Sequence, residues 1–386
     1  MIQMSERRDA NDVSISQQER TNCVAYHTKR MMRNEDIGSD AAKRCMEWMM
    51  HRDIDALDTN FGAFFAAMTT KGPTKDEIVG CTEAVLEIDG FMPKQETLDT
   101  EEPVYSICGS GKTDYKMFNV STAAAFLASA ADVCVTKQGS YGTSKSTGAA
   151  DAVELAGAEL GADQEYMKRS AEEDSIGFFT ISDKVQNYDG IYGGNFYIYH
   201  PLSYGFSALI NKADVDGIVY GTMARDTELV ASILQEYGFD NSIVVNSEIT
   251  PGRYVDELSV FGETKLSVIR GDRIHTERRD FTHLTDAENP ERVSSGTPHE
   301  NARSLVSSLL SAADGAKTDM ACLNAGAVLF AAQTVDSIET GYEVTREKAE
   351  SGAGYEQLCR LVENSDGDLD ALQELREECL AEPEPR

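Results

Sequence analysis

The sequence carries only 15 lysines and a single tryptophan in 386 residues, and no uninterrupted apolar run of the roughly 18 residues that a membrane span requires. Its two longest apolar stretches, residues 119–135 and 320–335, are alanine-rich and contain polar groups such as Asn324 and Gln333, which fits buried helices. The first 20 residues are polar and lack the apolar core of a secretory signal. No two of the eight cysteines (Cys23, Cys45, Cys81, Cys108, Cys134, Cys322, Cys359 and Cys379) have CxxC spacing, and several sit within apolar runs. That pattern excludes a clustered metal framework and points to reduced thiols packed as small hydrophobes in a cytoplasmic protein.

What is abundant is acid. Asp and Glu number 66 against 35 Lys and Arg, for a formal net charge of −31. Such a field repels nucleic acid and anionic membranes, and there is no basic patch to oppose it. The acids are spread along the whole chain, as in a protein kept soluble in concentrated salt. At molar ionic strength the screening length falls to about 3 Å, so an anionic substrate is not excluded.

The chain divides by pattern. Residues 1–21 read as a disordered tail and 363–386 as an acidic C-terminal tail. Residues 22–100 read as a small all-helical domain. Asp40 to Met50 has helical apolar spacing, Asp58 to Thr70 is a more apolar helix, and Thr74 with Glu77 has the spacing of a capping box. Residues 163–190 are polar and read as helices associated with that domain. From about residue 101 to 362 the pattern is strand, glycine-rich turn, helix, which indicates a large α/β domain with a mostly parallel sheet flanked by helices. Strands are expected at Val104–Cys108, Val133–Lys137, Gly217–Tyr220, Ser242–Val245 and Lys265–Ile269, a loop at Asp280–Arg303, and helices over 303–362.

Three segments carry chemistry. Cys108-Gly-Ser-Gly-Lys-Thr-Asp-Tyr-Lys-Met-Phe-Asn-Val-Ser-Thr122 places a glycine-rich turn between a strand and a helix, where backbone N–H groups and the helix N-terminus favour phosphate. It is not a nucleotide-binding P-loop, because that pattern requires Gly where Ser106 stands. A tight turn without a ligand explains the same residues. Lys137-Gln-Gly-Ser-Tyr-Gly-Thr-Ser-Lys-Ser-Thr-Gly-Ala-Ala-Asp151 is a second strand-end loop rich in hydroxyls, and two such loops together favour a phosphate site over a solvated loop. Tyr254-Val-Asp-Glu-Leu-Ser259 puts two carboxylates side by side, a pattern that serves Mg²⁺ with substrate phosphates or is merely an acidic pair.

In order along residues 38–362, these segments resemble the anthranilate phosphoribosyltransferase family and its nucleoside phosphorylase relatives. The family's C-G-T-G-G-D-x-x-K-x-F-N-x-S-T frame is kept at Cys108, Gly109, Gly111, Lys116, Phe118, Asn119, Ser121 and Thr122. Its D-E-[IL]-S motif matches Asp256-Glu-Leu-Ser259. Residues 64–80, Leu323 to Ala332 and Gly341 to Gly352 follow it as well. The resemblance implies a Mg²⁺-dependent enzyme that moves phosphoribose from phosphoribosyl pyrophosphate to an aromatic acceptor, as a homodimer held by its helical domain. It implies that Gly109, Ser110, Gly111, Lys116, Asn119, Ser121 and Thr122 hold the donor, that Lys137 and Ser144 contact its sugar phosphate, and that Ser121, Asp256 and Glu257 order the metal. Asp256, Glu257 and Lys137 are the implied catalytic groups.

The chain also departs from the family, in both loops and most of all on the acceptor side. The family's G-G-D is Gly111-Lys-Thr113 here, with Asp114 one place late, and the second loop has Gln138, Ser140 and Tyr141 where His, Asn and Arg are usual. The Arg that pairs with the anthranilate carboxylate falls at Gly193, before the degraded motif His200-Pro-Leu-Ser-Tyr-Gly205. Losing a bidentate contact of that kind costs on the order of 1.5–3 kcal/mol or more, unless Arg225 or Arg253 replaces it. Three functions therefore compete: transfer to anthranilate in tryptophan biosynthesis, a paralogue acting on another aromatic or nucleobase acceptor lined by His200, Tyr199, Tyr204 and Tyr192, and a non-catalytic nucleic-acid-binding relative. The charge argues against the last.

Overall fold

The computed structural model describes residues 15–91, 97–142, 147–161, 165–181, 187–188, 198–312 and 315–381. The chain separates into two units, one formed by Met1–Met92 with Lys184–Phe206 and the other by Pro93–Asp183 with Ser207–Arg386.

The first unit is helical: α1 (Gln17–Met31), α2 (Ser39–Met50), α3 (Leu57–Lys71) and α4 (Lys75–Ile88). The helix α1 corrects the expectation of a disordered tail through residue 21. Ser16 and Glu19 form a capping box that starts the helix at Gln17, and Val24, Thr28 and Met31 bury its inner face. The expected box at Thr74 and Glu77 is present, and Glu77 does more than cap. Fully buried, it accepts from Thr74 N–H and Ile37 N–H, each at 2.9 Å, and pairs with buried Lys71 at 2.8 Å. One carboxylate thus fastens the start of α4, the end of α3 and the approach to α2. Gly80 lets α4 cross the start of α2, since a Cβ there would lie 2.3 Å from the Ser39 carbonyl oxygen.

The second unit is built on one eight-stranded sheet: β1 (Val104–Gly109), β2 (Cys134–Gly139), β3 (Ile176–Thr180), β4 (Gly217–Gly221), β5 (Asn241–Thr250), β6 (Arg253–Val255), β7 (Glu263–Arg270) and β8 (Arg273–Asp280). The strand order is β3-β2-β1-β4-β5-β7-β8, with β6 on β5. Strands β3, β2, β1, β4 and β5 run parallel, while β6, β7 and β8 are joined antiparallel. The parallel strands are buried along nearly their whole length, the mark of a sheet covered on both faces. Around it pack α5 (Val120–Ser129), α6 (Ala149–Leu155), α7 (Glu165–Asp174), the single turn α8 (Phe206–Leu209), α9 (Thr227–Glu236), α10 (Pro298–Leu309), α11 (Gly315–Ala331), α12 (Ile338–Ser351), α13 (Ala353–Asn364) and α14 (Leu369–Ala381).

The two expected parts, helical and α/β, are thus found, with corrections inside the second. Residues 165–174 are helical but belong to the α/β unit, where Asn364 Nδ2 reaches Asp174 at 2.8 Å, and Ile176-Gly-Phe-Phe-Thr180 is a buried strand rather than helix. The polar stretch 280–303 is not all loop, because α10 starts at Pro298 with a capping box from Thr297 and Glu300. The acidic C-terminus forms α14, which buries Leu372, Leu375 and Cys379 in the main core. All eight cysteines are free thiols, and Cys45, Cys81, Cys108, Cys134, Cys322 and Cys379 are buried. No helix of the described residues is long and apolar enough to cross a membrane.

The Glu77→Ala variant should lose about 2–5 kcal/mol of unfolding free energy in urea titration, since it leaves two backbone donors without their acceptor and Lys71 with Asp36 as its remaining carboxylate.

Candidate functional site

The parallel sheet changes direction at β1. The chain moves outward from β1 to β2 to β3, then returns to place β4 on the other side of β1, with Gly109 opposite Gly221 at the strand ends. Open α/β sheets bind ligands in the crevice outside the carboxyl ends of strands at such a switch point. The acidic segment arrives there because β5 turns back through a bulge near Glu248 and Thr250 and through Gly252, at φ +79, into β6, which delivers Asp256 directly.

Both strand-end glycines are required by contact. A Cβ at Gly221 would lie 1.6 Å from the Asp256 carbonyl oxygen, and one at Gly109 would lie 2.6 Å from Asp256 Oδ2. Asp256 is 4% exposed and accepts, on Oδ2, from Gly111 N–H at 2.8 Å and from Ser110 Oγ at 3.0 Å. The first loop is stitched on all sides. Ser110 N–H donates to Gly221, Asp114 exchanges hydrogen bonds with the backbone of Tyr254, Lys116 Nζ reaches the Gly111 carbonyl at 3.3 Å, and Phe118 N–H donates to Val293. Asp114, one place late against the family frame, is therefore a structural tie to the segment that carries Asp256.

Glu257 meets the N-terminus of α5, where the Ser121 N–H donates to it. Burial among protein atoms, and then the neighbouring Asp256 charge, raise its carboxyl well above the usual range, opposed by Lys137 and the Ser121 bond. Lys137 is itself buried, and burial lowers its ammonium against the pull of Cys108, Glu257 and Asp256. Its Nζ donates to the Gln138 carbonyl at 2.8 Å. Burial pushes the Cys108 thiol up to about 11, so it is no nucleophile at neutral pH. Asn119, at the start of α5, makes no side-chain cap, and its Oδ1 and Thr122 Oγ1 are buried without a hydrogen-bond partner among the described residues. Lys112 is half-buried, lowered by that burial and by Lys116 beside it.

These features fit a divalent cation with a phosphate ligand. A buried carboxylate raised by burial and by the charge of Asp256 beside it invites a cation, and the described residues contain no cluster of three or more His, Cys, Asp or Glu that would cage one alone. Mg²⁺ takes that form of site, with one or two carboxylates and the rest of its shell from phosphate and water.

The second loop is closed by its last residue. Asp151 Oδ2 accepts from Gly142 N–H and Gly148 N–H, each at 2.7 Å, and a Cβ at Gly148 would lie 2.1 Å from the Ser140 carbonyl oxygen. Ser144 lies outside the described residues, as do Gly193 and Tyr192. Arg225 stacks on the Tyr254 ring at 4.5 Å and Arg253 on the Tyr115 ring at 5.3 Å, both beside the first loop. The described aromatic residues expected to line an acceptor pocket, Tyr199, His200 and Tyr204, lie in the helical unit. His200 is buried and stacked on Phe65 at 5.4 Å, and Tyr204 is buried with its ring 4.8 Å from Tyr199.

Sequence reasoning missed the residues that hold the acidic segment still. Asn324, fully buried in α11, accepts from Leu258 N–H at 3.0 Å and donates to the Leu258 carbonyl at 2.9 Å, and Ser247 Oγ donates to the Glu257 carbonyl at 2.6 Å. The signal for Asn324 was a polar residue within an otherwise apolar helix.

Two family descriptions match this chain: the glycosyl transferase family a/b domain over residues 101–355 and the glycosyl transferase family helical bundle domain over residues 27–88. The first alone spans more than half of the chain. The chain belongs to this glycosyltransferase family. Anthranilate phosphoribosyltransferase of Haloarcula marismortui is 31% identical over 320 residues, 80% of this chain and 91% of the relative. The fold matches the crystal structure of anthranilate phosphoribosyltransferase from Thermus thermophilus, with TM-score 0.72 and 24% identity over 88% of this chain and 99% of that one. It also matches the Saccharomyces cerevisiae enzyme in complex with PRPP and Mg, with TM-score 0.70 and 17% identity over 89% of this chain and 98% of that one. As a member of this family the protein is a pentosyl-transferring enzyme of the anthranilate phosphoribosyltransferase type.

Replacing Asn324 by Ala leaves both Leu258 backbone groups unsatisfied in the core. The variant should lose about 2–5 kcal/mol of stability in urea titration.

Proposed function

We propose that the enzyme transfers the phosphoribosyl group of phosphoribosyl pyrophosphate to the amine of anthranilate and releases pyrophosphate, as a step of tryptophan biosynthesis in the cytoplasm. The observation that carries the reading is that the adjacent Asp256 and Glu257 meet, respectively, the glycine loop at the sheet's switch point and the α5 N-terminus, in a chain whose similar relatives bear that enzyme's name. In this reading Gly109, Ser110, Gly111, Lys116, Asn119, Ser121 and Thr122 bind the diphosphate, while Lys137 and Ser144 face the sugar phosphate. Asp256 and Glu257, with Ser121, hold Mg²⁺, which supplies charge neutralisation on the departing pyrophosphate. The C1–O bond to pyrophosphate breaks as the C1–N bond forms, and the amine proton leaves to solvent. The aniline-type amine is a weak base, already neutral at physiological pH, so the chain's part is to orient and to stabilise charge through the loop donors and the α5 N-terminus. The helical unit is taken as the homodimer surface.

A second reading, transfer to a different aromatic acceptor, is favoured by one observation: Gly193 stands where the family's acceptor Arg is expected.

Pyrophosphate release from phosphoribosyl pyrophosphate, followed with Mg²⁺ in molar KCl, should depend on anthranilate. Release that ignores anthranilate but responds to another aromatic amine or base would establish the second reading. Asp256→Asn and Glu257→Gln should each cut turnover by about a hundred-fold or more with circular dichroism unchanged, and full activity in either variant would remove the metal assignment.

A further inference from the structure

The glycine loop at the end of β1 carries two donors that the protein's own carboxylate already uses. Gly111 N–H and Ser110 Oγ–H converge on a single oxygen, Asp256 Oδ2, at 2.8 and 3.0 Å. A backbone N–H and a hydroxyl meeting on one anionic oxygen is the arrangement with which such loops hold a phosphate. Here the oxygen belongs to a side chain that is 4% exposed, so the bonds are made largely out of water, where charge-assisted bonds are strong. Gly109 makes this possible, because any Cβ at that position would fall 2.6 Å from the same oxygen.

We propose that Asp256 is an internal anion that closes the glycine loop in the ligand-free chain, and that the loop's donors pass to a diphosphate only when a divalent cation draws the carboxylate away. The inference rests on the reading of the site as a diphosphate and divalent-cation site. A bare diphosphate approaching the closed loop meets a negative charge on the donors it needs. The same diphosphate carried with a cation brings the group that releases them. The main chain around Asp256 is not free to move: its carbonyl lies against Gly221, the Glu257 carbonyl is held by Ser247, and Leu258 is held on both sides by Asn324. The exchange is therefore a rotation of the Asp256 side chain, and it couples cation binding to anion binding without moving a strand.

Calorimetric titration of the full-length protein with inorganic pyrophosphate, with and without Mg²⁺ in molar KCl, tests this. The unmodified protein should bind bare pyrophosphate about ten-fold or more weakly than its Mg²⁺ complex, and Asp256→Ala should bind the bare anion about ten-fold more tightly than the unmodified protein does. Glu257→Gln keeps the neighbouring side chain uncharged at every pH without touching the Gly111 and Ser110 bonds. It should leave bare-anion affinity within about three-fold. An equal gain in both variants would reduce the effect to net charge and overturn the proposal, as would no gain in a folded Asp256→Ala. Should that variant fail to fold, Asp256→Asn is read the same way, with a gain of about three-fold expected and none overturning it. Equal binding of bare and Mg²⁺-complexed pyrophosphate by the unmodified protein sinks the lock and leaves the donor site standing, whereas no binding in either condition removes both.

Discussion

The site depends on one steric constraint, the approach of the Asp256 main chain to the ends of β1 and β4. The β5–β6 excursion brings the acidic segment to those carboxyl ends. The approach is closer than any side chain at Gly109 or Gly221 would permit. Once it is made, Gly111 and Ser110 are within bonding range of Asp256, Glu257 reaches the N-terminus of α5, and Lys137 falls within the field of both carboxylates. The polar network of Asn324 and Ser247 then holds the segment against two rigid elements, α11 and β5.

The electrostatics of that arrangement are self-opposed. Glu257 is raised by burial and by Asp256, Lys137 is lowered by burial, and the α5 N-terminus and Lys137 only partly offset two neighbouring negative charges. A site built in this way is costly until a cation and an anion complete it. The same logic operates across the whole molecule, where a formal charge of −31 is tolerable when salt screens it, in keeping with the haloarchaeal source of the Haloarcula relative.

The elements that could be read from the chain were those with an unambiguous local code. Val104–Cys108 and Val133–Lys137 read as strands because they are short β-rich runs followed by glycine-rich turns, and the structure has strands at Val104–Gly109 and Cys134–Gly139; Thr74 with Glu77 announced a cap. The strand Ile176–Thr180 is as apolar but only five residues long and set among charges, so helical polarity around it prevailed. Edge strand β8 escaped notice because Arg273, His275, Arg278 and Asp280 face solvent, and strand identity there comes from pairing with β7 rather than from alternating apolar residues. The helix α14 looked like an acidic tail because only Leu372, Leu375 and Cys379 mark its inner face.

By itself, the sequence determined the two-part architecture, the two loop motifs and the Asp256–Glu257 pair, since each is written in contiguous residues whose backbone needs are local. Only the tertiary structure decided what those residues do to one another. Asp256 bonds to a loop 145 positions away in sequence, and Asn324 grips Leu258 across 66. Asp114 ties the first loop to Tyr254, His200 stacks on Phe65, and Tyr204 lies against Tyr199. Such relations arise from which strand ends become neighbours when the sheet forms, and spacing along a chain carries no record of that distance.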